Sequence, residues 1–409
     1  MINQEKLKKF AKLVVEVGVN VKEGQLLVIN SPVECREFTR MLVDAAYEVK
    51  AKDVMVRWSD DIVNKSYYMN VTEDVIKNLP NYVVEQFKYI VDENAAVISI
   101  AAPTPGLLKK VDPTKLQLSQ KVSNEKVGFY RKHMMSNGSQ WCVVSYPTLA
   151  WAEKVFPNEQ DPVSKLMDAI LTASRVTGDN DPVAEWKTHM ATLARHNKML
   201  NDYNFKNLHF KNSLGTDLVV ELVEGHIWGG GAEEAQTKVV FAPNIPTEET
   251  FTMPHKFGVN GKVVATKPLN YQGKLIEDFY LVFKDGKVVE YNAVKELDAL
   301  QGLLELDEGS SRLGEVALIS HDSPISNMNI LFYNTLFDEN ASCHLALGNA
   351  YTMNIKNGHN LAEEELAKLG YNKSMAHVDF MFGSKDMQII GTTHDNKQIK
   401  VFENGNFCF

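Results

Sequence analysis

The spacing of apolar residues in the first half of the chain alternates between helical and strand-like patterns. Residues 4–19 repeat apolar positions with helical spacing, which predicts an amphipathic helix, and residues 25–30 then predict a short buried strand. Further helices are predicted over 36–49, 73–89 and 162–175, and further strands over 53–58, 95–101 and 141–145. Strands separated by helices favour a mainly parallel sheet covered by helices. We therefore predict a Rossmann-like α/β domain over residues 1–185.

The pattern changes in the second half of the chain. A turn-rich stretch at 177–182 precedes a long predicted helix over 183–203, and two strand-like runs then flank residues 213–216. Between 258 and 293, strand-like runs alternate with the dipeptides Asn260-Gly261, Gln272-Gly273 and Asp285-Gly286. Such dipeptides are turn signals, because Gly adopts positive φ at little cost. Residues 186–409 are therefore predicted to form an α+β domain with antiparallel strands.

Composition narrows the class of protein. A chain of 409 residues with 44% hydrophobic content is expected to be globular and to form two domains. The N-terminus lacks the apolar run of a secretory signal, and no apolar run approaches the roughly 20 residues of a membrane span. The four cysteines lie far apart without a Cys-x-x-Cys pair, which favours a reducing compartment. With a net charge of -9 and no basic stripe, we expect a cytoplasmic protein without nucleic-acid or membrane partners.

Several familiar motifs are absent from the sequence. There is no Walker A motif, and the run Gly229-Gly230-Gly231 lacks the third glycine of a dinucleotide-binding fingerprint. There is also no Gly-x-Ser-x-Gly elbow and no His-Glu-x-x-His motif. Cys343 and His344 are adjacent, but adjacency does not provide the geometry of a nucleophile and its base. Phosphate binding and the common serine and zincin mechanisms therefore have no support.

Residue types that commonly bind metals are concentrated in the second half of the chain. Six of the 11 histidines lie between His255 and His394. In His377-Val378-Asp379, a strand would project His377 and Asp379 from one face, where both could reach one metal or two adjacent metals. The alternative is a half-exposed strand with ordinary polar alternation.

A second segment contains Glu339 and His344, five residues apart. On a regular helix they would lie about 140° apart, so they could converge only from a loop or a helix end. Tyr351 follows and could supply a phenolic hydrogen-bond donor. Its alternative role is an aromatic side chain with its ring in the core and its hydroxyl at the edge.

Two further positions offer carboxylates. Glu248 and Glu249 would face opposite ways in an extended chain, so at most one easily enters a site. Glu315 begins the apolar run 316–319, and a carboxylate entering a buried strand needs a partner or a metal. The alternative for Glu315 is an exposed residue at the start of the strand.

Together these residues provide four carboxylates and two imidazoles. The set comprises one of Glu248 and Glu249, with Glu315, Glu339, His344, His377 and Asp379. Such a set suits two divalent cations, for example Zn, Co, Mn or Mg. Two metals can activate a water and polarise a carbonyl, which predicts amide hydrolysis.

The order of these segments resembles a known family. The stretch 244–251, Gly314-Glu315, the stretch 340–348 with Tyr351, and His377-Val378-Asp379 are similar to the motifs of the aminopeptidase T, aminopeptidase S and PepS group of metallopeptidases. The resemblance extends over nearly the whole chain. It implies a cytoplasmic, homodimeric exopeptidase that removes N-terminal residues of peptides with two divalent cations.

The resemblance also implies individual roles. It selects Glu249 rather than Glu248 as a ligand, makes Glu315 the bridging carboxylate, and places Tyr351 as the donor to the tetrahedral oxyanion. Either Glu249 or Glu315 would assist the water as general base. By the same analogy, the N-terminal domain would cover the site and exclude internal peptide bonds. Alternatives are another two-metal hydrolase, such as a dipeptidase or an N-acyl amino acid hydrolase, and a non-catalytic protein that binds a small ligand.

Overall fold

A computed structural model describes residues 2–108 and 110–409. The α-helices in chain order are α1 (Gln4–Leu13), α2 (Arg36–Glu48), α3 (Asp61–Asn70), α4 (Glu73–Lys77), α5 (Asn81–Asp92), α6 (Pro113–Met135), α7 (Leu149–Val155), α8 (Pro162–Ala173), α9 (Pro182–Tyr203), α10 (Leu297–Leu304), α11 (Pro324–Met328), α12 (Thr335–Asp338) and α13 (Glu363–Lys368). A π-helix, Val14–Gly18, continues α1, and short 3-10 helices lie at Val33–Cys35, Glu339–Ala341, Thr352–Asn354 and Gly358–Asn360. Within the described ranges, none of the helices is long and apolar enough to cross a membrane.

The strands are also numbered in chain order. They are β1 (Leu26–Pro32), β2 (Asp53–Ser59), β3 (Ala96–Ala101), β4 (Trp141–Ser145), β5 (Asn207–Lys211), β6 (Asp217–Leu222), β7 (Glu233–Glu234), β8 (Val240–Phe241), β9 (Thr250–Thr252), β10 (Pro254–Val264), β11 (Leu269–Tyr271), β12 (Lys274–Lys284), β13 (Lys287–Lys295), β14 (Leu313–Leu318), β15 (His344–Gly348), β16 (His377–Met381), β17 (Gln388–Thr392), β18 (Gln398–Glu403) and β19 (Asn406–Phe407).

The chain divides into two compact units. The first contains residues up to His189 together with Ala232–Pro246, and the second contains Met190–Gly231 and Thr247–Phe409. The chain therefore passes from one unit to the other within α9 and returns briefly to the first. The division into independent domains at 185/186 stays a prediction.

The first unit is built on a parallel sheet of four strands in the order β2-β1-β3-β4. Its central strands β1 and β3 are mainly apolar and mostly buried, as expected for strands covered on both faces. The predicted α/β fold is therefore confirmed. The predicted helix over 73–89 was wrong in one respect: it is split into α4 and α5, because Pro80 cannot continue a helix.

The second unit contains two antiparallel sheets, which confirms the α+β prediction. The larger sheet has the order β11-β12-β10-β6-β5-β17-β18-β19, and β13 pairs with β12. Gln272-Gly273 and Asp285-Gly286 form tight turns at either end of β12, as predicted. Asn260-Gly261 was wrong as a turn, because it lies inside β10. A Cβ on Gly261 would lie 2.2 Å from the carbonyl oxygen of Asp217, so the glycine there permits a close approach of two strands.

The smaller antiparallel sheet has the order β16-β15-β14-β9 and carries the predicted metal ligands. One of its faces packs into a continuous core with the large sheet and α10. This core includes Phe210, Leu281, Leu303 and Leu345, all fully buried. Because side chains alternate across a strand, the opposite face of the small sheet can carry polar groups.

Candidate active site

The pairing of β14, β15 and β16 places two acidic side chains on one face of the small sheet. Glu315 on β14 and Asp379 on β16 both pair with Ala346 on β15, so the three residues form one row across the strands. The next row, which contains Val316 and Leu345, faces the apolar core. Glu315 and Asp379 therefore share the face that points away from the core.

The two histidines lie on the same face as these carboxylates. His344 is two residues before Ala346 on β15, and His377 is two residues before Asp379 on β16. A separation of two residues keeps a side chain on the same side of a strand. His377 and Asp379 therefore project from the same face of β16, as the sequence predicts.

A β-bulge sets the orientation of Glu315. Leu313 pairs with Leu347, but Glu315 pairs with Ala346, so Gly314 is an extra residue in β14. Without this extra residue, the side chains of the strand would alternate in the opposite phase and Glu315 would point into the core. The sequence gives no direct signal of this shift.

Glu249 joins the same face from the edge strand. It precedes β9 by one residue and is two residues from Phe251, which pairs with Ala317 of β14. Glu248, its neighbour, instead uses its backbone N–H to donate to Oδ1 of Asn340 at 2.8 Å. Glu249 thus lies with the cluster.

Glu339 reaches the cluster from a helix end rather than from the sheet. It begins the 3-10 helix that follows α12, whereas His344 begins β15, so the two do not share a regular helix. Asn340 is fully buried, and its Nδ2 donates to the carbonyl of Leu336 at 3.1 Å. Since Asn340 also accepts from the Glu248 N–H, it connects the two segments that carry Glu249 and Glu339. The sequence reasoning did not identify Asn340.

The Gly229-Gly230-Gly231 run, which does not match a phosphate-binding motif, packs against the backbone of Glu249. A Cβ on Gly230 would lie 2.4 Å from the carbonyl oxygen of Glu249. The carbonyl of Gly230 accepts a hydrogen bond from Nδ2 of Asn197 at 2.9 Å. The glycine therefore lets the segment held by α9 lie directly against the backbone that carries Glu249.

Glu315 lies between two groups of potential ligands. Nε2 of His344 is 3.2 Å from one Glu315 oxygen and 3.5 Å from Oε2 of Glu249. Nε2 of His377 is 3.7 Å from the other Glu315 oxygen and 3.5 Å from Oδ1 of Asp379. Within each group, the donor atoms lie within 4.8 Å of one another. Glu315 is thus the one carboxylate common to both groups.

Hydrogen bonding orients His377. Its Nδ1 lies 2.7 Å from the carbonyl oxygen of Asn349, so Nδ1–H donates to that oxygen and Nε2 is directed at the carboxylates. This is the arrangement that a metal-binding histidine uses to fix its tautomer and ring orientation. Asn349 was not identified from the sequence, because a backbone carbonyl gives no residue-type signal.

The electrostatics of the cluster reflect burial and crowding of like charges. Burial, reinforced by Glu315 and Asp379, raises the pKa of Glu249 to about 7. Burial and the neighbouring carboxylates raise the pKa of Glu339 well above its ordinary value. Burial opposes the charged form of His344, but its hydrogen bond to Glu315 and the surrounding negative charge raise its pKa to about 10. The cluster therefore favours bound positive charge.

The chemistry of the donor set fits divalent cations. Oδ1 of Asp379 is buried and has no hydrogen-bond partner among the described residues, although Nε2 of His377 approaches it at 3.5 Å. Glu315 and His344 are only 5% and 1% exposed. Buried carboxylates without compensating cations are costly, and carboxylate oxygens with imidazole nitrogens are ligands for Zn, Co or Mn.

Tyr351 lies at the His377 side of the cluster. The centroids of the two rings are 4.6 Å apart. Burial, followed by the charges of Glu315 and Asp379, raises the pKa of Tyr351. Its hydroxyl therefore stays protonated and can donate a hydrogen bond.

Comparison with known proteins identifies the family. The chain matches the family described as thermophilic metalloprotease (M29) over residues 3–407. It is 45% identical over 408 residues to aminopeptidase 2 of Geobacillus stearothermophilus, covering 99% of this chain and 98% of that protein. It is 44% identical over 407 residues to aminopeptidase AmpS of Bacillus subtilis, covering 99% of each. The solved structure of wild-type AmpT from Thermus thermophilus matches with a TM-score of 0.90 at 34% identity, covering 99% of this chain and 100% of that chain. These matches confirm the resemblance found in the sequence, and the chain belongs to the M29 family of metalloproteases.

Proposed function

We propose that this metal-dependent aminopeptidase holds two divalent cations on the face of the small sheet that points away from the apolar core. The ligands would be Glu249, Glu315, Glu339, His344, His377 and Asp379. The observation that carries the proposal is the position of Glu315, whose two oxygens belong to two separate groups of donor atoms. Zn, Co, Mn and Mg remain the candidate cations, and Glu315 would bridge the two.

Glu249, Glu315 and Tyr351 would take part directly in peptide hydrolysis. When bound, the cations would polarise the scissile carbonyl and lower the pKa of a water. Glu249 or Glu315 would accept a proton from that water, because both carboxylates lie in the cluster. Tyr351 would donate its hydroxyl hydrogen to the oxygen of the carbonyl as negative charge develops there.

The substrates would be peptides with an unblocked N-terminus. A matched pair of substrates, leucine p-nitroanilide and its N-acetylated form, separates this activity from that of an N-acyl amino acid hydrolase. We expect hydrolysis of the unblocked compound alone. Preferential cleavage of the acetylated compound would contradict the proposal.

Metal analysis tests the proposal directly. After mild dialysis, we expect two divalent cations per chain by mass spectrometry, loss of activity on chelation and recovery when metal is added back. Glu315→Gln should lose activity and bind metal more weakly, because an amide is a poorer bridge than a carboxylate. Glu363→Gln is the matched control, since that carboxylate is 72% exposed in a surface pair with Lys373. Activity that survives thorough chelation would contradict the proposal.

Three expectations from the family resemblance stay predictions. They are the homodimer, the cytoplasmic location and a covering role for the first unit. Sedimentation equilibrium of the purified protein would test the first of them, with a mass of twice the 46.0 kDa of one chain expected.

A further inference from the structure

A small cavity lies directly beside the candidate metal ligands. It has a volume of about 50 Å³, and its lining includes Glu339 and Asp379. Met381, which is two residues beyond Asp379 on β16, also lines it. Since His377, Asp379 and Met381 alternate onto one face of β16, the cavity continues the face that carries the ligands.

The cavity and Tyr351 lie toward opposite ends of β16. Tyr351 lies against His377, at the start of β16, whereas the cavity lies at the end of the strand marked by Met381. If Tyr351 contacts the scissile carbonyl, the cavity lies on the other side of the ligands. This is where a group attached next to that carbonyl could extend.

Part of the cavity wall is apolar. It includes Pro268, Leu269 and Met381, and the latter two side chains are only 5% and 3% exposed. An aliphatic group placed there would lose contact with water and gain contact with these side chains. This part of the wall therefore favours an apolar group.

Besides the two candidate metal ligands, the wall contains a third carboxylate, Asp338, whose oxygens already accept hydrogen bonds. Asp338 accepts hydrogen bonds from the backbone N–H of Phe332 at 2.7 Å and of Asn334 at 3.0 Å. These bonds bracket Tyr333, another wall residue, which has a left-handed backbone with φ of 55°. Non-glycine residues hold this conformation only where their surroundings fix it. Asp338 thus holds the wall in place, which makes it a poor anchor for a cationic side chain.

The volume of the cavity limits the size of the side chain that can enter it. At roughly 10 to 15 Å³ for each water molecule, the cavity holds about three to five water-sized groups. This is enough for a branched aliphatic side chain and too little for an aromatic ring with its linking carbon. We propose that the cavity receives the side chain of the first residue of the substrate and selects aliphatic side chains up to the size of leucine. This inference rests on the proposed function.

Hydrolysis of alanine, leucine and phenylalanine p-nitroanilides by the metal-loaded protein tests the subsite. We expect kcat/KM for leucine to exceed that for phenylalanine by at least about tenfold. Met381→Ala enlarges the cavity and should raise the phenylalanine-to-leucine ratio by about tenfold or more. Thr335→Phe narrows it from an exposed position in the lining and should lower the leucine-to-alanine ratio by a similar factor.

Controls separate the subsite from general effects. Met387→Ala removes a methionine that is 1% exposed in the core of the same unit and is not part of the wall, so both ratios should stay at the wild-type value. Thr335→Phe keeps the test decisive if Met381→Ala fails to fold, because Thr335 is exposed. Unchanged ratios in a folded, metal-loaded Thr335→Phe enzyme would overturn the subsite while leaving the aminopeptidase intact. If the wild-type protein with metal hydrolyses none of the three compounds, the proposed function fails and the subsite fails with it.

Discussion

Ala346 shows how one small residue shapes the site. It lies between Glu315 and Asp379 in the same row of the sheet, and its side chain is a single methyl group. A longer side chain at this position would occupy the space between the two carboxylates. The alanine therefore leaves space above β15 for the side chains of Glu315 and Asp379, which lie over the sheet.

At the same scale, Tyr351→Phe separates the oxyanion donor from the metal ligands. The substitution removes the hydroxyl but keeps the ring against His377. We expect normal metal content and a kcat lowered by about 10² to 10³, the range for losing one such donor. Steady-state kinetics with leucine p-nitroanilide and metal analysis of the same sample measure both quantities.

Tyr280→Phe is the matched control for this substitution. The hydroxyl of Tyr280 on β12 donates to Glu290 at 2.9 Å, and Tyr280 lies on the large sheet rather than the one that carries the cluster. Its loss should leave kcat unchanged. A Tyr351→Phe enzyme with the wild-type kcat would remove that hydroxyl from the mechanism.

Among the structural elements, the bulge in β14 links backbone geometry to metal binding. A Cβ on Gly314 would lie 2.3 Å from the carbonyl oxygen of Asn349 and 2.4 Å from that of Gly348. Gly314→Ala therefore forces these backbones apart. We expect the free energy of unfolding to fall by about 1 to 3 kcal/mol, the cost of overpacking. Metal affinity should also fall, because Glu315 is the next residue. Urea denaturation and competitive metal titration measure the two effects.

Gly302→Ala provides the contrasting case. Gly302 is exposed in α10, and apart from its chain neighbours and the backbone of its own helix no atom lies within 4 Å of a Cβ built there. Alanine in a helix interior should raise the stability by about 0.5 to 1 kcal/mol. If Gly314→Ala matched the wild type in stability and metal affinity, the bulge would not be what positions Glu315.

Elements specified by local signals could be predicted from the sequence. Asp161 and Pro162 begin α8 as expected, with the Asp161 side chain accepting from the N–H of Ser164. The break at Pro80 was also a local signal, but apolar periodicity on both sides of it suggested one helix. The glycine at Gly261 could not be interpreted locally, because its role depends on a strand more than 40 residues away in sequence.

The candidate site also contains some residues whose positions the sequence could predict and others whose positions it could not. The shared face of His377 and Asp379 follows from the period of a strand, so the sequence could specify it. The orientation of Glu315 depends on a one-residue bulge, and the approach of Glu339 depends on a helix end packed against a distant segment. Neither follows from periodicity. For Glu339, the residue type suggested a ligand, but the sequence left open whether a loop or a helix end would bring it to His344.

For the whole molecule, the cluster links metal binding to folding. The chain carries a net charge of -9, and a few of its carboxylates are gathered in one buried place. In the absence of cations, burial and the neighbouring carboxylates raise the pKa values of Glu249 and Glu339, so these two carboxylates hold protons more readily. Metal binding requires deprotonated ligands, so it releases those protons and stabilises the folded chain. Stability should therefore depend on pH differently with and without metal.

The chelated protein should lose stability as pH rises from 5 to 9. In the folded chain, the pKa of Glu249 is raised from 4.5 to about 7, and those of His344 and His377 are raised from 6.5 to about 10 and about 9. Between these limits the folded state binds more protons than the unfolded state. The free energy of unfolding then falls with pH, by about 1.4 kcal/mol per pH unit for each extra proton held.

Urea denaturation at pH 5, 7 and 9, with chelator or with saturating metal, measures this dependence. The stabilisation by metal should be smallest at pH 5 and increase toward pH 9, because protons compete with the cations for the same donor atoms. Glu249→Gln removes one of the groups with a raised pKa, so the fall of the chelated protein between pH 5 and 7 should become shallower. A chelated wild-type protein whose stability rose across this range would show that the cluster does not hold protons in the folded state. The ligand atoms would then be stabilised as anions by the protein itself, and the electrostatic reason for binding cations at this face would be lost.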